Sequence, residues 1–415
     1  MKVLYFSYAY PNSTQPTLGT FNRSLLAALS SQHDIRVVAP VPFPQIIRSR
    51  LKGTSPSAPG FQAIPGVEAD YVPFYYPPKV MRDRFDEFLW WSVREQLERT
   101  IREFRPDVIL SYWAHPDGAV AVRAGRAQGI PVVTIVGGSD VLLLARSGRR
   151  RTSILNALHQ ADAVVAVSRH IAETLIADGL PAENVHVVRR GIDRTIFRPG
   201  DRADARRELG LAAKRFTLIS VGRLESVKGQ THLIEACHQL FREGHSFAAH
   251  LLGGGPLAQR LKQEIRHANL QGTVTLHGSQ PQAVLANWYR AADVTVLPSL
   301  SEGIPNVLLE SMACGTPFVA SNVGGIPEIV DERYDDLVSP ADAAALAMAL
   351  RRRLTTAPPS TYSPESRRFE PGSWEDSAAA LCDVFASVGV RTSEDSATQV
   401  PTIHAQRPVL QTMSH

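Results

Sequence analysis

Two glutamates eight positions apart carry the clearest chemical signal in this sequence. Glu302 follows an apolar run at residues 292–298, which predicts a short buried strand that ends at Pro298. Glu310 lies about two turns into the helix predicted to follow. Ligands of open α/β sheets bind at the carboxyl ends of the strands, where helix N-termini attract anions and hydroxyl groups. One interpretation is therefore a ligand-binding loop; the other is a helix-entry charge followed by a solvated helix face.

A pair of cations follows another predicted strand, at residues 216–221. Arg223 and Lys228 lie in a loop that is bounded by Gly222 and Gly229. A guanidinium contacts a phosphate at two points and an ammonium adds a point charge, so this loop is suited to a diphosphate. Alternatively, both side chains are solvated loop cations.

The elements that position these loops form a repeated pattern. Apolar runs alternate with helical patterns in both halves of the chain, which predicts parallel sheets with helices on both faces. Residues 45–79 are rich in Pro and Gly and predict a long loop or an inserted subdomain. The predicted strands are residues 3–7, 35–39, 107–111, 130–136, 163–167, 185–188, 216–221, 248–252, 274–277, 294–297 and 318–321.

The chain has 415 residues, which is long for one hydrophobic core. We predict a first domain at residues 1–200 and a second at 201–365, with a linker at 354–364. An amphipathic helix at about residues 370–388 is expected to return to the first domain. Residues 391–415 are polar and aperiodic and are predicted to be disordered. Two such domains create a cleft between them, and such clefts are preferred ligand sites.

Composition narrows the class of protein. Cys237, Cys314 and Cys382 are scattered and lack metal-ligand spacing, so we expect a reducing compartment and no disulfide framework. The apolar start after Met1 is too short for a signal-peptide core, and no run reaches the roughly 20 apolar residues of a spanning helix. We therefore expect a cytoplasmic protein, or one that touches a membrane from the side.

Positive charge is concentrated in the first 200 residues, which hold 24 Lys and Arg against 17 Asp and Glu, a net charge of +7. One interpretation of these clusters is solvent-exposed surface. The other is a surface that contacts anionic lipid or an anionic acceptor. Apolar neighbours such as Ile47 and Leu51 favour an interfacial helix. No nucleic-acid-binding motif accompanies them. The basic residues are Arg48, Arg50, Lys52, Arg82, Arg84, Arg146, Arg149, Arg150 and Arg151.

Four motifs in order make the second half resemble the donor domain of retaining GT-B glycosyltransferases of family 4 (glycosyl transferases group 1). They are Gly222-Arg223-Leu224 with Lys228-Gly229, then Gly253-Gly254-Gly255-Pro256, then Glu302 to Glu310, then Gly324-Gly325-Ile326-Pro327-Glu328. The resemblance covers residues 1–388 and is strongest at 216–330. It implies an α/β fold of GT-B architecture, in which two doubly wound parallel-sheet domains face each other across a cleft.

The resemblance also implies roles for these residues. Gly222, Arg223 and Lys228 would hold the pyrophosphate of a nucleotide-diphosphate sugar, and the two cations would stabilise the charge that grows as the glycosidic bond breaks. Glu310 would accept hydrogen bonds from the ribose. The donor sugar would be bound by Glu302 and by the backbone of the turn that follows it, formed by Gly303, Ile304, Pro305, Asn306 and Val307. Retention would follow from departure and attack on one face of the sugar.

The first domain matches the family less closely. His115 resembles the family histidine that contacts the donor sugar, which would place it with Glu302, Arg223 and Lys228 in the catalytic group. Gly19 corresponds to the glycine-rich loop near the donor phosphate. One departure is Gly137-Gly138-Ser139-Asp140, where many relatives have His-Gly-x-Asp. Another is Arg189-Arg190-Gly191, where relatives usually carry Asn-Gly, and it adds positive charge at the hinge side of the cleft.

We expect no cofactor and no metal, since no Asp-x-Asp pair follows a predicted strand in the donor region, Asp335-Asp336 lies past the motifs, and Arg223 and Lys228 can neutralise phosphate. The function expected is transfer of a sugar to a glycan or lipid-linked acceptor in surface polysaccharide or glycoconjugate assembly. Open alternatives are a nucleotide-sugar epimerase or phosphorylase of the same architecture, and a non-catalytic nucleotide-sugar binder. A nicotinamide-dependent oxidoreductase is disfavoured because no Gly-x-Gly-x-x-Gly turn follows the first strand. The sequence identifies neither the sugar, the base, the acceptor nor the linkage.

Overall fold

The computed structural model describes residues 1–51, 53–55, 64–77, 80–144, 148–356 and 367–390. Its strands form two separate sheets, one of seven strands and one of six. Every pair of neighbouring strands in both sheets is parallel, which confirms the predicted architecture of two doubly wound domains. The predicted tail at 391–415 and most of the predicted linker lie outside the described residues.

The first sheet has the strand order β3-β2-β1-β4-β5-β6-β7. Its central strands are buried along their whole length and mostly apolar, as expected for strands covered by helices on both faces. The strands are β1 (Lys2–Phe6), β2 (Asp34–Pro42), β3 (Glu68–Phe74), β4 (Val108–Tyr112), β5 (Val132–Val136), β6 (Ala163–Ala166) and β7 (Val185–Val187). The helices are α1 (Thr20–Leu29), α2 (Phe43–Leu51), α3 (Phe85–Phe104), α4 (Ala119–Gln128), α5 (Ser139–Leu142), α6 (Gly148–Gln160) and α7 (Arg169–Ala177).

The second sheet has the order β10-β9-β8-β11-β12-β13. The strands are β8 (Phe216–Val221), β9 (Phe247–Leu252), β10 (Val274–Gly278), β11 (Val294–Leu297), β12 (Phe318–Ser321) and β13 (Asp336–Val338). The helices are α8 (Arg202–Glu208), α9 (Gln230–Arg242), α10 (Ala258–His267), α11 (Gln282–Ala291), α12 (Asn306–Ala313) and α13 (Ala343–Thr355). A last helix, α14 (Trp374–Ser387), packs on the first domain, where Leu381 and Phe385 join the hydrophobic core.

The expectation of a loop or inserted subdomain at residues 45–79 is wrong for the part that the structure describes. This segment contains most of α2 and all of β3, which extends the first sheet beside β2. β3 pairs with β2 alone and is therefore an edge strand, where Pro73 costs no ladder hydrogen bond on its open side. Pro73, which argues against a strand in the sequence, is tolerated because β3 lies at the edge of the sheet.

The order of strands in each sheet places the ligand crevices. In the first sheet the chain direction across the sheet reverses at the junction of β1 and β4, and in the second at the junction of β8 and β11. Crevices of open α/β sheets lie outside the carboxyl ends of the strands at such switch points. The loops with Arg223 and with Glu302 leave β8 and β11 at that edge.

Candidate functional site

A cavity of about 610 Å³ lies between the two domains, at the carboxyl ends of their strands. The second domain contributes most of the residues that we predicted for a donor site, and the first domain contributes the loop before α1, the start of α1 and the residues after β7. The predicted residues that line the cavity are Gly222, Arg223, Lys228, Glu302, Gly303, Ile304, Pro305, Asn306, Val307 and Glu310. The fold therefore brings together residues that are up to 88 positions apart in the sequence.

The Glu302 side chain is nearly buried and is held by two hydrogen bonds. Its side chain is 9% exposed, and its Oε1 accepts hydrogen bonds from Lys228 Nζ at 2.6 Å and from Ser299 Oγ at 2.7 Å. Lys228 ends a short 3₁₀ turn after β8, and Gly229, at φ 66°, leads from it into α9. The cation and the carboxylate predicted as separate donor-binding groups therefore form one ion pair in this structure.

The turn after Glu302 lies directly against the first domain. A Cβ on Gly303 would lie 2.6 Å from the carbonyl oxygen of Gly137 in the first domain, so a side chain cannot be accommodated there. Gly325 N donates to the carbonyl of Gly303 at 2.8 Å and fixes the turn from behind. Glycine at this position lets the backbone of the turn lie against the other half of the cleft.

Glu310 points from the second turn of α12 toward the cavity. Tyr289 Oη donates to its Oε2 at 2.9 Å, and no other hydrogen bond to this carboxyl group occurs among the residues described. Burial raises the pKa of Glu310 to about 7, and the tyrosine hydrogen bond offsets part of that rise. This carboxyl group is therefore poised to change its protonation near neutral pH and has lone pairs left for a ligand.

Arg223 lies at the open edge of the cavity. Its guanidinium makes a 2.6 Å ion pair with Glu225, and its side chain is 62% exposed. Gly222 before it adopts φ 154°, a backbone conformation that favours glycine. Gln230 Nε2 donates to the carbonyl of Arg223 at 2.9 Å and holds the loop while the side chain stays accessible.

Gly19 does not itself line the cavity, although its neighbours Thr17 and Thr20 do. Gly19 has φ 64°, and a Cβ there would lie 1.9 Å from the carbonyl oxygen of Ala9. This glycine therefore allows the loop after β1 to fold tightly against α1. Its predicted contact with the donor phosphate stays a prediction.

His115 is not brought to the cleft, which corrects the placement that the sequence suggested. Its side chain is buried, its Nε2 lies 3.1 Å from Asp86 Oδ1, and it is not among the residues that line the cavity. The chain turns at Trp113, where φ is 84°, and directs His115 into the first domain. The end of β4 is occupied instead by Tyr112, whose hydroxyl accepts a 2.7 Å hydrogen bond from the cavity-lining Arg190.

Models of two families match the chain, one for each domain. Residues 18–195 match glycosyltransferase family 4, and residues 201–365 match glycosyl transferases group 1. A D-inositol 3-phosphate glycosyltransferase of Arthrobacter is 33% identical over 305 residues, covering 69% of this chain and 72% of the relative. This chain is a family 4 glycosyltransferase.

Other relatives agree with that assignment. The putative teichuronic acid biosynthesis glycosyltransferase TuaC of Bacillus subtilis is 29% identical over 365 residues, which covers 85% of this glycosyltransferase and 89% of TuaC. The crystal structure of Anabaena HepE in complex with UDP and glucose superposes with a TM-score of 0.66 at 18% identity, covering 96% of this chain and 100% of HepE. The fold is therefore GT-B, as the resemblance implied.

The glycosyltransferase also has a polar contact between its domains that we did not predict. Glu328 of the second domain accepts hydrogen bonds from the backbone N–H groups of Arg169 and His170, at 3.1 and 2.9 Å, at the start of α7 in the first domain. Arg189 Nη2 lies 3.4 Å from the same carboxylate. A carboxylate at a helix N-terminus is favourable, so this contact stabilises the observed domain arrangement.

The sequence placed the positive charge of Arg189-Arg190 at the hinge side of the cleft but did not single out Arg190 as a residue that lines the cavity. The fold places Arg190 in the cavity lining and packs it over Phe21 of α1, with 4.1 Å between the guanidinium carbon and the ring centroid.

The described residues contain neither a clustered metal site nor a membrane-spanning helix. Over the described ranges, no three His, Cys, Asp or Glu side chains group as a metal site, and metal independence stays a prediction. In the same part of the chain, no helix is both long enough and apolar enough to cross a membrane.

A second cavity of about 480 Å³ lies near the start of β8, away from the cleft. Three arginines that line it, Arg333, Arg352 and Arg353, form ion pairs with aspartates.

Proposed function

We propose that this glycosyltransferase transfers a sugar, with retention of configuration, from a nucleotide-diphosphate sugar to a glycan or lipid-linked acceptor. The observation that carries the proposal is the Lys228–Glu302 ion pair, which lies on the same cavity as Arg223 and Glu310. Two cations and two carboxylates on one wall match a ligand that has a diphosphate at its centre and hydroxyl-bearing sugars on both sides.

The cations act on the leaving group. When the glycosidic bond breaks, negative charge grows on the diphosphate, and preorganised cations lower the energy of that state. In the structure, Lys228 and Arg223 are each paired with a carboxylate, at 2.6 Å in both cases. Donor binding would replace these internal pairs with contacts to phosphate. The internal pairs keep the cations in place without leaving buried charge uncompensated.

The carboxylates act on the two sugars of the donor. Once Lys228 turns to the diphosphate, Glu302 keeps its hydrogen bond from Ser299 and gains free lone pairs for hydroxyl groups of the transferred sugar. Glu310 accepts from the ribose. The two carboxyl groups do not form an acid–base pair with each other, because Glu302 is bound by Lys228 and Glu310 by Tyr289. This supports departure and attack on one face of the sugar without a covalent intermediate.

The acceptor and its location are inferred from the first domain. Helix α2 exposes Ile47 and Leu51, at 51% and 82%, beside Arg48 and Arg50. Phe43 at the start of α2 stacks on Tyr75, which is 60% exposed and extends the same apolar surface. Apolar and basic residues together suit an anionic membrane surface. We infer peripheral contact at the cytoplasmic face, where a lipid-linked acceptor would be presented.

The relatives favour a role in polysaccharide assembly. TuaC is named for teichuronic acid biosynthesis, and other relatives are named for colanic acid and amylovoran biosynthesis. These names describe those proteins, and they direct the choice of acceptors for this one. Lipid-linked saccharides of surface polysaccharides are the first acceptors to test.

The test is a binding panel followed by a turnover assay. Purified protein is titrated with UDP-, GDP-, ADP- and dTDP-sugars, and donors that bind are incubated with saccharide and lipid-linked acceptors. We expect one donor to bind in the micromolar range or tighter and to yield product with the anomeric configuration of the donor, read by NMR. Binding without turnover would favour a non-catalytic binder, inversion would refute retention, and preference for a nicotinamide cofactor would refute the proposal.

The membrane contact has a separate test. Cosedimentation with vesicles containing anionic phosphatidylglycerol is compared with cosedimentation with neutral phosphatidylcholine vesicles. We expect binding to the anionic vesicles alone, and Leu51→Ser to reduce it. Ile176→Ser, at an exposed position on α7, is the matched control. Binding to neither vesicle type would refute the membrane contact, and equal binding to both would refute its dependence on anionic lipid.

A further inference from the structure

We infer that Arg190 forms a subsite for a carboxylate carried by the saccharide in the cleft, so that one of the two sugars handled by this enzyme is a uronic acid. The inference rests on the proposed function and deepens it, because it assigns a substrate class to the same cavity. Arg190 lines the cavity from the first-domain side.

Arg190 is a cation that has no acidic partner among the described residues. In the segments that the structure describes, its guanidinium makes no ion pair, whereas the other two cavity cations are each paired with a glutamate. Its Nη2 donates to Tyr112 Oη at 2.7 Å, and its Nη1 lies 3.5 Å from Asn306 Oδ1, at the limit of a hydrogen bond. Both partners are neutral, so the positive charge remains available to a ligand.

The position of this guanidinium is fixed. Its central carbon lies 4.1 Å from the ring centroid of Phe21 and 5.7 Å from that of Tyr112, and aromatic faces attract such a cation. The Tyr112 hydroxyl holds one end of the fork. A planar guanidinium held in this way is preorganised for two-point contact with a carboxylate, and less rotamer freedom is lost on binding.

The carboxylates that share the cavity are already engaged. Glu302 is held by Lys228 and Ser299, and Glu310 by Tyr289. Asp193 Oδ1 accepts from Thr195 N at 2.9 Å and from Thr195 Oγ1 at 2.5 Å. An anion that enters near Arg190 therefore has an attractive partner, and each neighbouring carboxylate already has a hydrogen-bond donor of its own.

The placement favours a sugar carboxylate over the diphosphate. Arg223 and Lys228, the cations assigned to the diphosphate, belong to the loop after β8. Arg190 instead contacts Asn306, which begins α12 and belongs to the turn assigned to the transferred sugar. The first domain, on which Arg190 is packed, is the side from which an acceptor saccharide would enter. Either the donor sugar or the acceptor can bring the carboxylate to this place.

The experiment compares Arg190→Gln with the wild-type protein in two arms. In the donor arm, dissociation constants are measured for UDP, UDP-glucose and UDP-glucuronate, and for GDP, GDP-mannose and GDP-mannuronate. In the acceptor arm, binding of p-nitrophenyl glucuronide and of p-nitrophenyl glucoside is measured with the nucleotide present. Arg126→Gln, on the surface helix α4, is the charge-matched control.

Loss of a charge-assisted hydrogen-bonded pair predicts 10- to 100-fold weaker binding of the acidic ligand in one arm, with less than about threefold change for its neutral counterpart. Arg190→Lys should recover part of the affinity, and Tyr112→Phe should lose part of it. The arm that responds tells donor from acceptor. Equal weakening of nucleotides, neutral and acidic ligands would assign Arg190 to the diphosphate and overturn the inference.

Three other outcomes are also decisive. No change for any ligand in either arm would overturn the inference while leaving the proposed function intact. Failure of the wild-type protein to prefer either acidic ligand over its neutral counterpart would do the same. Failure of the wild-type protein to bind any nucleotide sugar would refute the proposed function, and the inference with it. A melting-temperature measurement on each variant excludes loss of binding through unfolding.

Discussion

Replacing Lys228 with Met tests whether this cation acts on the donor or merely compensates Glu302. The substitution keeps the apolar stem and removes the charge that lies 2.6 Å from Glu302 Oε1. The lysine side chain is 25% exposed and the glutamate 9%, so the pair lies between a surface and a buried ion pair. We expect a loss of about 1–3 kcal/mol of stability, because Glu302 keeps only its hydrogen bond from Ser299.

The effect on turnover should be larger than this loss of stability explains. A cation preorganised for a developing charge contributes about 2.7–4 kcal/mol to the transition state, so kcat should fall on the order of 100- to 1,000-fold. The assay is steady-state release of nucleoside diphosphate, measured well below the melting temperature of the variant. Lys262→Met, on the exposed face of α10, is the matched control and should leave kcat unchanged.

A kcat within about threefold of wild type, with a lowered melting temperature, would refute this reasoning and reduce Lys228 to a structural partner of Glu302. The double variant with Glu302→Gln gives a second readout. Its stability loss should be smaller than the sum of the single losses, because the two side chains share one interaction. Its turnover should stay low, because the diphosphate still lacks the cation.

Three further predictions concern other parts of the site. Glu310→Gln should weaken binding of the donor identified in the panel about tenfold at pH 8. The affinity of the wild-type protein should fall as pH drops through about 7, where the carboxyl group takes up a proton, and the variant should show no such step in calorimetry. A pH step that persists in the variant would contradict this. Glu328→Gln should loosen the domain contact and raise the radius of gyration in solution scattering, whereas the exposed Glu332→Gln should not, and identical scattering of both variants would contradict the contact. His115→Asn should lower the melting temperature by a few degrees through loss of the Asp86 contact, with kcat within about threefold; a large kcat loss at unchanged melting temperature would return His115 to catalysis.

The strands could be predicted from the sequence wherever they are buried on both faces. Phe216–Val221, Val294–Leu297 and Phe318–Ser321 have in the structure the bounds that their apolar runs predicted. Of the edge strands, β3 and β13 were not predicted, whereas β7 and β10 were. β3 contains Pro73, and a proline argues against a strand in a sequence, while β13 has three residues and begins with Asp336.

The candidate site was accessible only in part. Glu302, Glu310, Arg223 and Lys228 could be predicted because each follows a predicted strand. The ion pair between Lys228 and Glu302 joins residues 74 positions apart, and side-chain pairing across that separation leaves no local pattern.

His115 shows a different limit. A histidine after a strand indicates a site only if the chain keeps its direction, and the turn at Trp113 changes it. Arg190 was predicted only as part of a positive charge at the hinge side of the cleft, because two consecutive arginines in a sequence do not show which of them the fold packs on an aromatic ring.

The most direct test of the account is a crystal structure of the complex with the donor that binds best in the panel. We expect the nucleoside diphosphate in the interdomain cavity, with ribose hydroxyls within hydrogen-bond distance of Glu310 and the diphosphate in contact with Lys228 and Arg223. Lys228 should then have left Glu302 for the phosphate. A nucleotide bound elsewhere, or one bound in the cavity with the Lys228–Glu302 pair intact, would contradict the assignment of this cavity and its cations to the donor.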